Sequence, residues 1–270
     1  ENKNLKVFNI DISEKKEIKN IINSSDLLIH LAAKGNVVES VQEPIENFNQ
    51  NVFTTIQLLE ILKESERCKK VIFSSTGGAL MGDTSPPVNE KSCPNPISPY
   101  GASKLACEGY INAYSNCYGL NSIVFRFGNV YGPNGSHKKG VVNKFIRNSI
   151  NDIEHIIYGS PNSSRDYIHV YDICEAILLG IEYFSKMQKN FELFHLANFE
   201  EVTLSKLIET IEKVSKKKNS YKLLDYRKGE VLRNFCSFKK ANNLLKFNPK
   251  YNLDRGIEDL YCWILENEFV

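Results

Sequence analysis

The chain has 270 residues, 42% of them apolar, and a net charge of +2 from 34 Lys+Arg against 32 Asp+Glu. That length suits one sizeable core with a smaller appended lobe, and the balanced charge leaves no extended basic field for nucleic acid or an anionic membrane. The seven cysteines are odd in number, scattered and never in a C-x-x-C pair, so they suggest neither a disulfide framework nor a zinc site and read as reduced thiols of a cytoplasmic protein.

The opening Glu1-Asn2-Lys3-Asn4 is polar and carries no signal-peptide apolar segment, and no later run approaches the roughly 20 apolar residues that cross a bilayer. Residues 5–10 form a short apolar-rich run that predicts a strand ending at Asp11. A polar segment with helical spacing follows, then a strand over 27–31. After Ala32-Ala33 a loop holding Gly35 and Pro44 leads into a helix over about 45–65, with Val52, Ile56, Leu59 and Leu62 on its apolar face. Strands over 70–74 and 122–127 flank a helix over about 99–118, and a helix near 141–150 precedes a strand over 154–158. From Tyr167 the rhythm changes to a helix over 172–184, a strand over 192–197 and a helix over 204–215. The run Lys216-Lys217-Lys218 reads as a solvated loop before a closing mixed segment.

Bounded apolar runs alternating with longer amphipathic segments predict an α/β fold, a doubly wound parallel sheet with helices on both faces. A soft boundary falls near residue 150, so 1–150 would form the sheet domain. Residues 151–270 would form a smaller mixed lobe, with segments returning to the sheet.

The pattern richest in chemistry is Tyr100-Gly101-Ala102-Ser103-Lys104 at the start of a helix. Four-residue spacing puts phenol and ammonium on one helix face, where Lys104 can favour the tyrosinate by proximity of charge. A phenol lowered toward neutrality can take a hydroxyl proton while a hydride leaves the same carbon. Taken alone, Y-x-x-x-K occurs by chance as a surface pair on many helices. The run Val71-Ile72-Phe73-Ser74-Ser75-Thr76-Gly77-Gly78 adds to it: a buried-type strand empties into hydroxyls and glycines at its C-terminal end, where open α/β sheets place ligands.

With His30-Leu31-Ala32-Ala33, Arg126-Phe127-Gly128-Asn129-Val130-Tyr131-Gly132-Pro133 and Arg165-Asp166-Tyr167-Ile168-His169-Val170 in the same order, the chain resembles the extended short-chain dehydrogenase/reductase family. Its UDP-glucose 4-epimerase-like members are the most similar. The resemblance implies a Rossmann-like NAD-binding domain over 1–150 and a mainly nucleotide-sugar-binding lobe over 151–270. It implies Thr76, Tyr100 and Lys104 as the catalytic set. Tyr100 would be the acid/base, Thr76 a hydrogen-bond partner of the sugar oxygen, and Lys104 a tuner of Tyr100 and a contact to the nicotinamide ribose. A loop one residue longer than the common family form would let Ser75 stand in for Thr76.

The same resemblance gives Asp11 and Ile12 to the adenine end of NAD and Leu31, Ala32, Ala33, Ser74 and Phe127 to the rest of it, with Tyr100 and Lys104. It gives Asn129, Arg165, Arg227 and Glu230 to the nucleotide diphosphate and its ribose, a role for which arginine supplies fixed, permanently charged donors. Ordinary surface ion pairs are the bland alternative for the two arginines. No metal is implied, and homodimers through a four-helix interface are common in the family; the helices near 45–65 and 99–118 would supply it. Two positions depart from the family pattern: Met81 replaces a tyrosine, and Tyr171 an acid.

Gly35 and the later glycines do not form G-x-x-G-x-x-G, so a pyrophosphate-holding turn is not expected within these residues. By the size of a βαβ unit, roughly 30 or more residues would carry it. Either the sequence is a segment of a longer protein or the chain is naturally truncated, with weakened or no NAD binding. Gly77-Gly78 after the strand-end hydroxyl offers no carboxylate for elimination, so the expected reaction is 4-epimerisation of a UDP-hexose or UDP-N-acetylhexosamine. A nucleotide-sugar reductase or dehydratase, and a truncated binding homologue without catalysis, stay open as alternatives.

Overall fold

The computed structural model describes residues 4–12, 14–135 and 140–268; residues 1–3 of the polar opening lie outside them. The chain runs through α1 (Lys15–Asn23), β1 (Leu28–His30), α2 (Val37–Gln42), α3 (Pro44–Phe48) and α4 (Thr54–Glu64), with a π-helical turn at Asn49–Phe53 joining the last two. Next come β2 (Lys70–Thr76), α5 (Pro99–Tyr118), β3 (Asn121–Phe127), β4 (Asn129–Tyr131), α6 (Val141–Ile150) and β5 (His155–Tyr158). Then follow β6 (Ser164–Arg165), β7 (Tyr167–His169), α7 (Val170–Tyr183), β8 (Phe191–Leu196) and β9 (Val202–Thr203). The remainder is α8 (Leu204–Ser215), β10 (Tyr221–Leu224), α9 (Lys239–Leu245) and α10 (Leu253–Glu268).

The main sheet is parallel throughout, in the order β1-β2-β3-β8. Its central strands β2 and β3 are buried on both faces, which is why 71–73 and 123–125 read as unbroken apolar runs. Successive side chains point to opposite faces. Val71, Phe73 and Val124 therefore pack with Leu58, Leu59, Leu62, Cys107 and Ile111 of α4 and α5. Ile72, Ile123 and Phe125, with Phe194 and Leu196 of β8, pack with Ile173 and Ala176 of α7 and Ala241 and Leu245 of α9. A separate core joins α6, α8 and α10 around Phe145, Leu207, Ile211, Ile257 and Leu260.

Three local expectations change. Residues 5–10 form no strand: among the described residues no strand lies alongside them, and Leu5, Val7 and Phe8 are exposed. A strand exists only through its ladder of hydrogen bonds, so apolar content alone does not make one. Within the expected loop before Pro44, Asn36 caps α2 by accepting N–H bonds from Val38 and Glu39 at 2.9 and 3.3 Å. The helix expected over 45–65 is interrupted by its π-helical turn. That turn presents the buried Asn51, which accepts the Lys34 N–H at 2.8 Å and donates to Ser103 Oγ on α5 at 3.0 Å.

Candidate active site

A cleft of ≈240 Å³ opens at the C-terminal ends of β2 and β3. Thr76, Gly78, Ala79, Tyr100, Asn129 and Arg165 line it, together with Gly35, Val37, Gly128, Gly229 and Val231. Parallel strands stop here and their loops diverge, which is where an open α/β sheet leaves room for a ligand.

Tyr100 is delivered by the start of α5. Ser98 caps the helix by accepting the Gly101 N–H at 3.1 Å and Pro99 occupies its first turn. Ser40 of α2 accepts the Tyr100 N–H at 3.1 Å. Gly101 allows the close approach: a Cβ there would lie 2.2 Å from the Ala79 carbonyl oxygen. Thr76 and Tyr100 line the same cleft, and the Thr76 hydroxyl lies near enough to pull the phenol's pKa down. Ser75 points elsewhere, with its Oγ buried and without a hydrogen-bond partner.

Lys104 is buried one turn further along α5 and donates from Nζ to the Ser74 carbonyl oxygen at 2.7 Å, over the ring of Phe73. Ser74 Oγ donates to the His30 carbonyl at 3.3 Å, so β1, β2 and α5 meet at this point. The phenol is not lowered toward neutrality, as the spacing predicts. Burial pushes it up to about 12, outweighing the Thr76 hydroxyl that pulls it down. Burial also pushes Lys104 down to about 8. The reason is that both groups lie deep and Lys104 spends its proton on a backbone carbonyl instead of on the phenol.

The other expected residues divide into three groups. Asn129 and Arg165 reach the cleft. Arg165 donates to the carbonyls of Ser164 and Leu232 at 2.8 and 3.3 Å, and no carboxylate pairs with it among the described residues. Arg227 and Glu230 flank the cleft-lining Gly229, pair loosely with each other at 3.5 Å, and Arg227 stacks on Tyr158 at 3.5 Å. Leu31, Ala32 and Ala33 are exposed just past the end of β1, with Ser74 and Phe127 at the ends of the neighbouring strands. Asp11 and Ile12 lie before α1 and are not among the cleft residues.

One supporting residue stands inside the motif at 165–170, which by itself assigns it no role. The buried Asp166 accepts N–H bonds from Asn198 at 2.8 Å and Cys236 at 3.2 Å, and its own carbonyl accepts the Asn129 N–H at 2.7 Å. It ties together three segments around the cleft, and burial pushes its carboxyl up to about 7 against those bonds.

The chain as a whole has counterparts among known proteins. The family model described as GDP-mannose 4,6 dehydratase matches residues 1–260. The chain belongs to that family. A putative UDP-glucose 4-epimerase of Methanocaldococcus jannaschii is 32% identical over 260 residues, covering 95% of this chain and 81% of that protein. A Thermotoga maritima UDP-glucose 4-epimerase, solved with UDP-glucose, superposes with a TM-score of 0.89 at 30% identity, covering 97% of this chain and 84% of the other. A Thermus thermophilus UDP-glucose 4-epimerase, solved with NAD, gives 0.90 at 27% identity, covering 98% and 86%. The fold is therefore the Rossmann-like one of UDP-sugar epimerases, and the family is one of NAD-dependent enzymes.

Proposed function

We propose that the protein catalyses NAD-dependent 4-epimerisation of a UDP-hexose or UDP-N-acetylhexosamine through a 4-keto intermediate. The observation that carries this reading is that Thr76 and Tyr100 line one cleft at the strand ends, with Lys104 buried one turn along the same helix and anchored on the Ser74 carbonyl. A second feature favours epimerisation over elimination: no acidic side chain lines the cleft among the described residues.

The residues suit the nicotinamide end of NAD. Leu31, Ala32 and Ala33 are exposed just past β1, with Ser74 and Phe127 toward the C-terminal ends of β2 and β3, and in this reading they meet the cofactor beside Tyr100 and Lys104. In this reading Asp11 and Ile12 serve the adenine end. When bound, NAD supplies reversible oxidation of the sugar carbon. Tyr100 would accept the C4 hydroxyl proton as the hydride leaves that carbon and return the same proton as the hydride comes back, so the cycle is neutral in protons and electrons. Thr76 holds the same oxygen through its hydroxyl. Lys104 carries a buried positive charge toward the phenol and the nicotinamide ribose.

Among the described residues the Arg165 side chain bonds only backbone carbonyls and forms no ion pair, which favours it for the diphosphate. Asn129, Arg227 and Glu230 complete the nucleotide end, Arg227 and Glu230 exchanging their loose mutual pair for it. Residues 1–150 then serve mainly the cofactor and 151–270 mainly the nucleotide-sugar, with β8 returning to the sheet. Exposed Ile45, Phe48, Phe53, Tyr110 and Tyr118 on α3 through α5 suit a homodimer.

The test is Tyr100→Phe assayed for interconversion of UDP-glucose and UDP-galactose, with the N-acetyl pair in parallel. Removing a positioned acid/base should lower turnover by at least ~2 orders of magnitude, while the melting temperature stays close to wild type. Near-normal turnover in the variant would sink the assignment.

A further inference from the structure

Glu108, Arg126 and His195 lie deep in the molecule, at 5%, 5% and 0% exposure, and none of them lines the cleft. Glu108 follows Lys104 by one helical turn, so Tyr100, Lys104 and Glu108 share one stripe of α5. Its carboxylate takes a fork from Arg126: Nη2 donates to Oε2 at 2.6 Å and Nε to Oε1 at 2.9 Å. Arg126 sits on β3 opposite Ser75 of β2 and His195 of β8, one residue before Phe127, which stands opposite Thr76. Its remaining nitrogen, Nη1, faces Met81 Sδ at 3.7 Å and His195 Nε2 at 3.5 Å. Burial and the neighbouring guanidinium push His195 down to about 3, so it meets Arg126 as a neutral ring.

Stability alone is a poor reason for such a group. Replacing a buried ion pair by apolar residues of similar volume is often neutral or stabilising. A planar fork instead fixes direction and register. Apolar contacts between α5 and the sheet would tolerate a small slide of the helix; the fork would not. We propose that Glu108 and Arg126 are positioning residues of the active site. The fork sets α5 in register against β3, which holds Tyr100 opposite Thr76, and the Glu108 carboxylate is a buried negative charge serving Lys104. This rests on the function proposed above only in naming Tyr100 and Lys104 as the working pair.

The surroundings of Lys104 make the second part testable. It touches the Ser74 carbonyl and the Phe73 ring from β2, and its charge couples to His30 from β1 and to Cys107 and Glu108 from α5. Burial pushes the ammonium down to about 8 while Cys107 and Glu108 pull it up. Burial also pushes His30 down to about 4, so it adds no charge near neutrality.

The experiment is an NMR titration of the full chain carrying 13C at lysine Cε, with the Lys104 signal assigned by its loss in Lys104→Met. Two variants are compared with wild type: the double Glu108→Met/Arg126→Met, which removes both charges, and Glu108→Gln, which keeps the shape and removes one. The Lys104 midpoint should fall by at least about half a pH unit in Glu108→Gln, where the anion is lost and the cation stays, and fall by less in the double variant, where the loss of Arg126 partly offsets it. An unmoved midpoint would overturn the proposal. Failure of both variants to fold would overturn it too, because the pair would then be holding the core and not the site. The titration needs neither substrate nor cofactor, so a shifted midpoint in a protein without epimerase activity would leave this inference standing and remove only the proposed function.

Discussion

Gly101→Ala is the most informative single change, because it adds one methyl group where α5 touches the strand-end loop. The new Cβ would lie 2.2 Å from the Ala79 oxygen, 2.8 Å from its carbonyl carbon and 3.1 Å from Pro96 Cβ, and real Cβ atoms essentially never come closer than 3.0 Å. Both colliding atoms of Ala79 are backbone, so no side chain can swing aside. Helix and loop must part by roughly 1 Å, a displacement that can cost about a hundredfold in rate when it moves a catalytic group. Overpacking of this kind costs about 1–3 kcal/mol, and the better helix propensity of alanine returns about 0.5–1 kcal/mol. The net loss of about 0–2.5 kcal/mol, centred on about 1 kcal/mol, should lower the melting temperature by roughly 2–4 °C. Gly109→Ala on the same helix is the control: its Cβ would meet nothing within 4 Å, so stability should hold or rise. Thermal unfolding of both variants and UDP-glucose/UDP-galactose turnover check this. Gly101→Ala with wild-type melting and turnover within threefold would refute the idea that this contact places Tyr100.

Thr76→Ala should reduce turnover by less than Tyr100→Phe, since it removes one hydrogen bond and leaves the acid/base. Ser75→Ala should leave turnover intact and stability neutral or slightly better, because the Ser75 hydroxyl is buried without a partner; a larger rate loss from Ser75→Ala would reverse the assignment. The Asp166 carboxyl is pushed from 3.8 up to about 7, so the folded state holds its proton more tightly than the unfolded state does. Its contribution to stability is present below about pH 4 and lost as pH rises through about 7. Urea unfolding from pH 4 to 8 should therefore slope less steeply for Asp166→Asn, and parallel slopes would contradict the raised value.

The residues reveal their chemistry where it depends on local order. Unbroken apolar runs such as 71–73 and 123–125 report strands buried on both faces. The four-residue Tyr100–Lys104 spacing places two groups on one face of α5 without reference to the rest of the chain. Tertiary structure alone decided the remainder. A strand over residues 5–10 needs a neighbour to pair with, which no run of apolar residues supplies by itself. The state of the Tyr100 phenol depends on depth: burial outweighs the Thr76 hydroxyl, and Lys104 reaches Ser74, a contact that spans 30 positions. The fork between Glu108 and Arg126, and the Asp166 carboxylate gathering N–H groups from two distant loops, also join residues far apart in the chain. Their side chains look like ordinary surface charges until the fold takes them out of water, where a charge is stable only with partners the chain must bring from elsewhere.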